Sequence, residues 1–423
     1  MLSRCGDRST ARQGEHQSNV RGEQASLYNR EIVSATTVEA RIRQFGRPTW
    51  AEVSLGALRE NFRRVQKHVG EGVNVCAVVK ADAYGHGAAQ CALALESEGA
   101  KWLGVTTTDE GVPLRDAGVR CRILLMTGFW RGEEEEVVRR NLTAAVWEPW
   151  HVKALDQAAS RLGVAPQPVH LKVDTGMGRL GVSLEELPAM CKVIQASPHI
   201  SLEGVFTHLA SSEVLGAADV ALQMERFEQA LGVVKGQGLS PLLFHMDNTG
   251  GMVSRPETWR NMVRPGLALY GYTLPLVQAG QVVNEAPPFP LRPVLSWSTR
   301  IVSLKQVGAG QALGYNGTFV TKAPSRIAVL PVGYADGYNR ELSNRGRVIV
   351  RDAYAPIVGN ISMDLTLVDV SAMRGVEPGD EVLLIGHRGS LSVTAPELAR
   401  HCHTVPYEIL CAISKRVPRI YAH

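Results

Sequence analysis

A lysine at the end of an apolar run is the first residue here with chemistry to offer. The stretch leading to Val79 is small and β-branched, and it reads as a buried strand ending at Lys80. Gly85 and Gly87 follow, and glycine lets backbone approach a ligand closely. A partly desolvated lysine gives up its proton more easily and can attack a carbonyl carbon. That is the chemistry of a Schiff base with an aldehyde cofactor. The competing reading is a lysine that caps the strand with its head in water. A second candidate is Gly176-Met177-Gly178-Arg179-Leu180-Gly181, which fits the GxGxxG pattern of a dinucleotide loop. It follows a fifth strand instead of opening its domain, and the next strand ends in Thr207 and His208 with no acidic residue. Both points weaken a dinucleotide site. Lys172 and Asp174 alternate along the strand before it, so they share a face, and a lone lysine inside a barrel is costly.

Other reactive types have plain readings beside the functional ones. His208 fits a satisfied core histidine, Arg264 a rim arginine and Tyr315 an amphipathic surface tyrosine. His401-Cys402-His403 matches no common metal spacing and reads as a helix end, so no metal is expected.

The elements that must position these residues alternate. Strands are predicted at Val75–Lys80, Trp102–Thr106, Ile123–Thr127, Thr143–Trp147, Val169–Asp174, Leu202–His208, Leu243–Asp247 and Met262–Tyr270. Helical patterns lie between them at Ala88–Ser97, Glu133–Arg140, Glu185–Gln195 and Val220–Lys235. Eight such repeats suggest an α/β fold, a (β/α)8 TIM-like barrel, with a doubly wound open sheet as the rival. A barrel demands catalytic side chains at the C-terminal ends of its strands. Lys80, Arg179, His208, Asn248, Thr249 and Arg264 all fall there. Beyond a Pro-rich junction at Pro287–Pro293, short β runs separated by Gly and Asp predict a smaller, mostly β C-terminal domain. The expected division is a disordered extension over 1–46, a barrel over 47–288 and a β domain over 289–423. The strand candidate Thr49–Leu55 is placed to pack with that second domain.

The bulk numbers exclude other classes. The chain of 423 residues is 45% apolar with a formal charge of +4, and its basic residues are scattered, so nucleic acid is not a partner. Seven cysteines without a CxxC pair suit a reducing compartment. No run reaches membrane-spanning length and the N-terminus lacks a secretory core, so a cytoplasmic protein is expected.

Taken together, the motifs resemble a known family. Val79 to Gly87 looks like the cofactor-lysine motif of alanine racemases, and His170 to Gly181 resembles their second signature. Arg264-Pro265-Gly266-Leu267, Gly333-Tyr334-Ala335-Asp336-Gly337, Gly359 to Asp364 and Arg416-Val417-Pro418-Arg419 follow in family order. The resemblance runs from about Arg47 to the C-terminus. It implies a pyridoxal 5'-phosphate enzyme that interconverts L- and D-alanine for cell-wall peptidoglycan, working as a homodimer with shared sites. It implies Lys80 as cofactor lysine and one acid/base, with Tyr315 from the partner as the other. Tyr84, Asn248, Thr249, Gly266 and Leu267 would hold the cofactor near its phosphate, and Arg264 would donate to the pyridine nitrogen. His208 would bridge Arg264 and Tyr315, and Arg179 would meet the cofactor's phenolic oxygen. Tyr334, Met363, Asp364 and Arg179 would meet the substrate. Lys172 resembles the lysine that is carbamylated in many members.

The chain departs from the family pattern twice. Lys415 stands where many members carry a tyrosine, and Asn360 where many carry an arginine. A broader racemase accepting serine is therefore the nearest alternative. A non-catalytic carrier of the cofactor is another, disfavoured by Tyr315 and Met363.

Overall fold

The computed structural model describes residues 46–284 and 287–422. But for Gly46, the extension predicted over 1–46 lies outside the described residues. β1 (Thr49–Ser54) leads into helix α1 (Leu55–Val69), where Ser54 accepts from the Ala57 amide and caps the first turn. Eight parallel strands then close into a barrel. They are β2 (Asn74–Val78), β3 (Trp102–Val105), β4 (Arg122–Leu125), β5 (Thr143–Val146), β6 (Gln167–Lys172), β7 (Ile200–Phe206), β8 (Leu243–His245) and β9 (Met262–Val263). Closure is made by β9 on β2, with Asn74 opposite Met262 and Val75 opposite Val263. The open doubly wound sheet is thereby excluded.

The predicted strands exist, but most end earlier. The last was expected to run to Tyr270 and stops at Val263, because Pro265 has no N–H for the ladder; a 3₁₀ turn follows at Leu267–Tyr270. Helices at Thr108–Asp116, Pro149–Leu162 and Thr249–Ser254 escaped the periodicity. The first holds Gly111 and Pro113, and the second opens on Pro149, a favoured first helical residue.

Past the barrel the chain is mostly β. One sheet runs Ala353–Pro356, Arg347–Val350, Glu381–Arg388, Leu295–Arg300, β1 and Arg419–Ala422. β1 therefore pairs with strands some 250 and 370 positions away, antiparallel to Leu295–Arg300 and parallel to Arg419–Ala422. A three-stranded sheet of Ser303–Val307, Ser325–Leu330 and Thr366–Asp369 lies beside it in sequence. The RVPR segment ties both regions together: Arg419 donates to the carbonyl of Gly85, just past the lysine strand, and to those of Ile413, Ser414 and Val417.

Candidate active site

Lys80 opens an unusual turn. Ala81, Asp82, Ala83 and Tyr84 all lie in the left-handed helical region, with φ of 51°, 53°, 54° and 54°. Each costs an L-residue roughly 1–2 kcal/mol, so the surroundings must impose this shape. Glu110 does much of it. One of its oxygens accepts from the Ala81 amide and the other from the Thr106 amide, both at 2.7 Å, locking the turn to the end of β3. Asp82 accepts from the Ala88 amide at 2.8 Å and opens the next helix. Gly85 and Gly87 serve this packing. A Cβ on Gly85 would stand 2.3 Å from the Leu410 carbonyl oxygen, and one on Gly87 would overlap the Tyr421 hydroxyl.

The turn aims Lys80 into a cavity of about 210 Å³ at the C-terminal ends of the strands. Tyr84, His208, Asn248, Thr249, Arg264, Gly266 and Leu267 line it with Lys80, so most of the predicted cofactor residues come together. Val78, Met126 and Tyr407 complete the wall. Tyr407 escaped the sequence reading; its ring packs 5.7 Å from that of Tyr84, and only its place shortly before RVPR could have signalled it. A larger cavity, about 500 Å³ between Gln66, Lys67, Val75 and Lys101, holds none of these residues.

At one end of the cavity, Thr249 Oγ1 accepts from the amides of Gly266 and Ala268 at 3.0 and 3.4 Å, and Asn248 accepts from the Gly251 amide. Gly266 has no room for a side chain, since a Cβ would stand 2.2 Å from the Tyr84 hydroxyl. At the other end lies Arg264, buried. Its Nη2 donates to the Thr207 and Met246 carbonyls at 2.9 Å and to His208 Nδ1 at 3.1 Å. Nη1 donates to His245 Nδ1 at 2.7 Å. Among the described residues no carboxylate pairs with it, and burial brings its pKa down to about 10.

This cationic, half-dry cluster sets the protonation of its members. Burial first, and then the Arg179 charge, lowers the Lys80 pKa, while Glu110 opposes the change. Burial and the Arg264, Arg179 and Lys80 charges bring Lys172 down to about 7. Lys172 is buried, as its alternation on β6 requires; its Nζ donates to the Met126 carbonyl at 3.2 Å and lies 5.3 Å from the Phe206 ring. His208 is held neutral by burial and by Arg264. Arg179 is exposed at the rim. Its glycine-rich segment is a loop folding back on β6, with Asp174 accepting from the Gly176 and Gly178 amides. No helix begins there until Leu187, which removes the dinucleotide reading.

Arg179 and Lys172 are not among the wall residues, and Tyr315, Tyr334, Met363 and Asp364 stand apart on the β region. Tyr315 is 70% exposed, Met363 52% and Tyr334 43%. They sit on turns of the β region. Tyr334 and Ala335 donate backbone bonds to the carbonyls of Ser362 and Met363, and Arg416 pairs with Asp364 at 2.6 Å. Asn360 Nδ2 donates to the Tyr315 carbonyl at 2.9 Å, so it braces the tyrosine turn. Lys415 is exposed and does not line the cavity.

Comparison with known proteins agrees with this geometry. The family descriptions "Alanine racemase, N-terminal domain" and "Alanine racemase, C-terminal domain" match residues 53–274 and 294–421. An alanine racemase of Symbiobacterium thermophilum is 42% identical over 375 residues, covering 89% of this chain and 97% of that protein. One of Syntrophobacter fumaroxidans is 41% identical, covering 87% and 96%. The crystal structure of alanine racemase from Streptomyces lavendulae superposes with a TM-score of 0.82 at 32% identity, covering 89% of this chain and 97% of that one. That of Bartonella henselae, with covalently bound pyridoxal phosphate, gives 0.77 at 29%, covering 89% and 99%. With both domain families matched across barrel and β region, the chain belongs to the alanine racemase family.

Proposed function

We propose that this chain is an alanine racemase that uses pyridoxal 5'-phosphate and pairs Lys80 with Tyr315 of the partner subunit. The single observation carrying the reading is the cavity that gathers Lys80, Arg264, His208, Tyr84 and Thr249. Its chemistry fits the cofactor: an amine made easier to deprotonate, a buried guanidinium with no paired carboxylate among the described residues, and a side-chain-free cradle at Gly266. When bound, pyridoxal phosphate acidifies the α-proton of the amino acid.

Lys80 would hold the cofactor and then move a proton on one face of the α-carbon. Tyr84, Asn248, Thr249, Gly266 and Leu267 would hold the phosphate end, where barrels often place phosphates. Arg264 would donate to the pyridine nitrogen and leave it unprotonated, which favours prompt proton return. His208 accepts from Arg264 at Nδ1, so its proton is on Nε2, free to steady the Tyr315 oxygen. Arg179 would meet the phenolic oxygen and the substrate. Lys172, with a pKa of about 7, offers a free amine to carbon dioxide at neutral pH, which supports carbamylation.

The second base must come from elsewhere, since Tyr315 is exposed and absent from the cavity wall. A homodimer with shared sites supplies it, bringing Tyr315, Tyr334, Met363 and Asp364 to the partner's cavity. Bases on opposite faces invert the carbon without turning the intermediate. We take the functional division as a barrel over 47–288 and a β domain over 289–423. A cytoplasmic role supplying D-alanine for peptidoglycan is consistent with six free cysteines and with no helix long and apolar enough to cross a membrane among the described residues.

The test is the absorbance spectrum of purified protein with borohydride trapping, then chiral analysis after incubation with L-alanine and L-serine. A reducible adduct on Lys80 and equal D- and L-alanine are expected, and the serine rate measures substrate breadth. An adduct without inversion of alanine would overturn the reading.

A further inference from the structure

Arg264 has a second histidine relay that the proposed chemistry does not use. From His245 Nδ1 the contacts continue down the barrel, away from the cavity. His245 Nε2 lies 2.8 Å from His170 Nδ1. His170 Nε2 lies 3.6 Å from a Glu203 oxygen, and the other Glu203 oxygen pairs with Arg122. Both histidines are fully buried, and Glu203 is partly buried.

The protein is shaped around this line. Across β6 and β7, Val169 faces Leu202 but His170 faces Gly204. The register slips by one, and Glu203 is the extra residue. Such a bulge re-aims a side chain that would otherwise follow the strand's alternation. Gly204 makes the space: a Cβ there would stand 2.8 Å from the His170 ring. Phe206 stacks flat on His245 at 4.6 Å, and Trp102 packs on His170.

The two ends dictate the protons between them. Arginine only donates, so His245 Nδ1 must be a bare acceptor and its proton sits on Nε2. That proton meets His170 Nδ1, which must then be bare, leaving the His170 proton on Nε2. Nε2 faces a Glu203 oxygen at 3.6 Å, longer than a hydrogen bond, and neither of these two buried atoms has another partner among the described residues, so the carboxylate acts on the ring as the nearest acceptor and by its charge. If the His170 proton moved to Nδ1, the His245 proton would move to Nδ1 as well and point at Arg264. The guanidinium would lose a buried acceptor and be pushed from its place.

We propose that Glu203, steadied by Arg122, is a positioning residue for Arg264, acting by fixing the tautomers of His170 and His245. The proposal rests on the racemase reading only for its kinetic consequence. The tautomers are a property of the chain itself.

The experiment is histidine-selective ¹⁵N NMR of cofactor-free and cofactor-loaded protein, with signals assigned from His170→Asn and His245→Asn. In the parent protein both rings should show a protonated Nε2 and a bare Nδ1 through the neutral range. Glu203→Met keeps the length and removes the acceptor. It should give mixed tautomers at His170 and His245 and lower kcat roughly tenfold, with KM for alanine little changed. Glu203→Gln still offers a carbonyl oxygen and should restore a single tautomer and most of kcat. A protonated Nδ1 on either ring of the parent overturns the proposal, as do unchanged tautomers in Glu203→Met. If Glu203→Met does not fold, the parent and Glu203→Gln spectra still decide. A parent without racemase activity but with the stated tautomers would strike the functional reading alone.

Discussion

The two halves of the proposed catalytic apparatus are built in opposite ways. Around Lys80 the chain is buried, strained and over-determined: four left-handed residues are pinned by Glu110 and Asp82, and the amine is desolvated among cations. Around Tyr315 the chain is a solvent-facing turn braced through Asn360. A base that works by a shifted pKa must be dry, so the barrel completes its own share. The tyrosine face keeps its aromatic ring in water, as a base offered to a partner's cavity requires in the proposed shared site. Under the proposed shared site, one chain carries two half-sites.

The largest effect should come from Lys80→Met. Racemisation should fall by at least about 10⁴-fold, and borohydride should trap no adduct. Retained adduct would move the cofactor to another lysine, with Lys172 the first to examine.

Tyr315→Phe should keep the cofactor absorbance while cutting turnover roughly 10²- to 10⁴-fold, most for the L-isomer. The shared site gives a sharper version. Mixing inactive Lys80→Met with inactive Tyr315→Phe should restore about a quarter of parental activity, since half the dimers are hybrid and each has one intact site. No recovery after subunit exchange would mean that Lys80 and Tyr315 act from one chain, and the comparison of halves would fail.

Lys172 tests whether the barrel half is as dry as its burial implies. Its folded pKa is about 7 against an ordinary 10.5. Between those values the unfolded chain holds the proton and the folded one does not, so stability rises with pH. Its contribution is complete above about 10.5 and lost as the pH falls to about 7. In carbon-dioxide-free buffer, denaturant unfolding should show the parent gaining ~2 kcal/mol over Lys172→Met between pH 7.5 and 9.5. Parallel pH curves would mean a solvated or paired amine. Added bicarbonate should raise the stability of the parent over Lys172→Met if the amine is carbamylated, since the carbamate forms on the folded chain.

The barrel half was the more legible in sequence, for a physical reason. Parallel strands buried on both faces read as unbroken apolar runs, so β2 to β8 and the lysine at the first tip stood out. The two-residue β9 was legible but reads too long, because Pro265 cuts it short. The left-handed turn was hidden: Ala81, Asp82, Ala83 and Tyr84 have no sequence mark of φ near +50°, and the shape is imposed by Glu110 from another helix. His170 was in view within its motif, two residues before Lys172 and so on the same face, but its partner Glu203 depends on a register slip that no periodicity shows. The β half was legible as a class and not as a site. The placing of Tyr315, Met363 and Asp364 depends on turns joined across the chain, such as Arg416 to Asp364.

Asn360 gives the smallest effect and separates two meanings of one residue. Read against its family, Asn360 replaces an entrance arginine and bears on which amino acids are accepted. In the structure its side chain holds the Tyr315 carbonyl at 2.9 Å. A partly exposed hydrogen bond of this kind contributes about 0.5–1.5 kcal/mol. Asn360→Ala should thus lower kcat roughly threefold by loosening the turn that presents the tyrosine, with the cofactor spectrum untouched. A bracing role lowers the rates for alanine and serine by the same factor, because both need the same tyrosine oxygen. A pocket-lining role changes their ratio. An altered serine-to-alanine ratio in kcat/KM would therefore move Asn360 from the scaffold of one half-site to the substrate wall of the other.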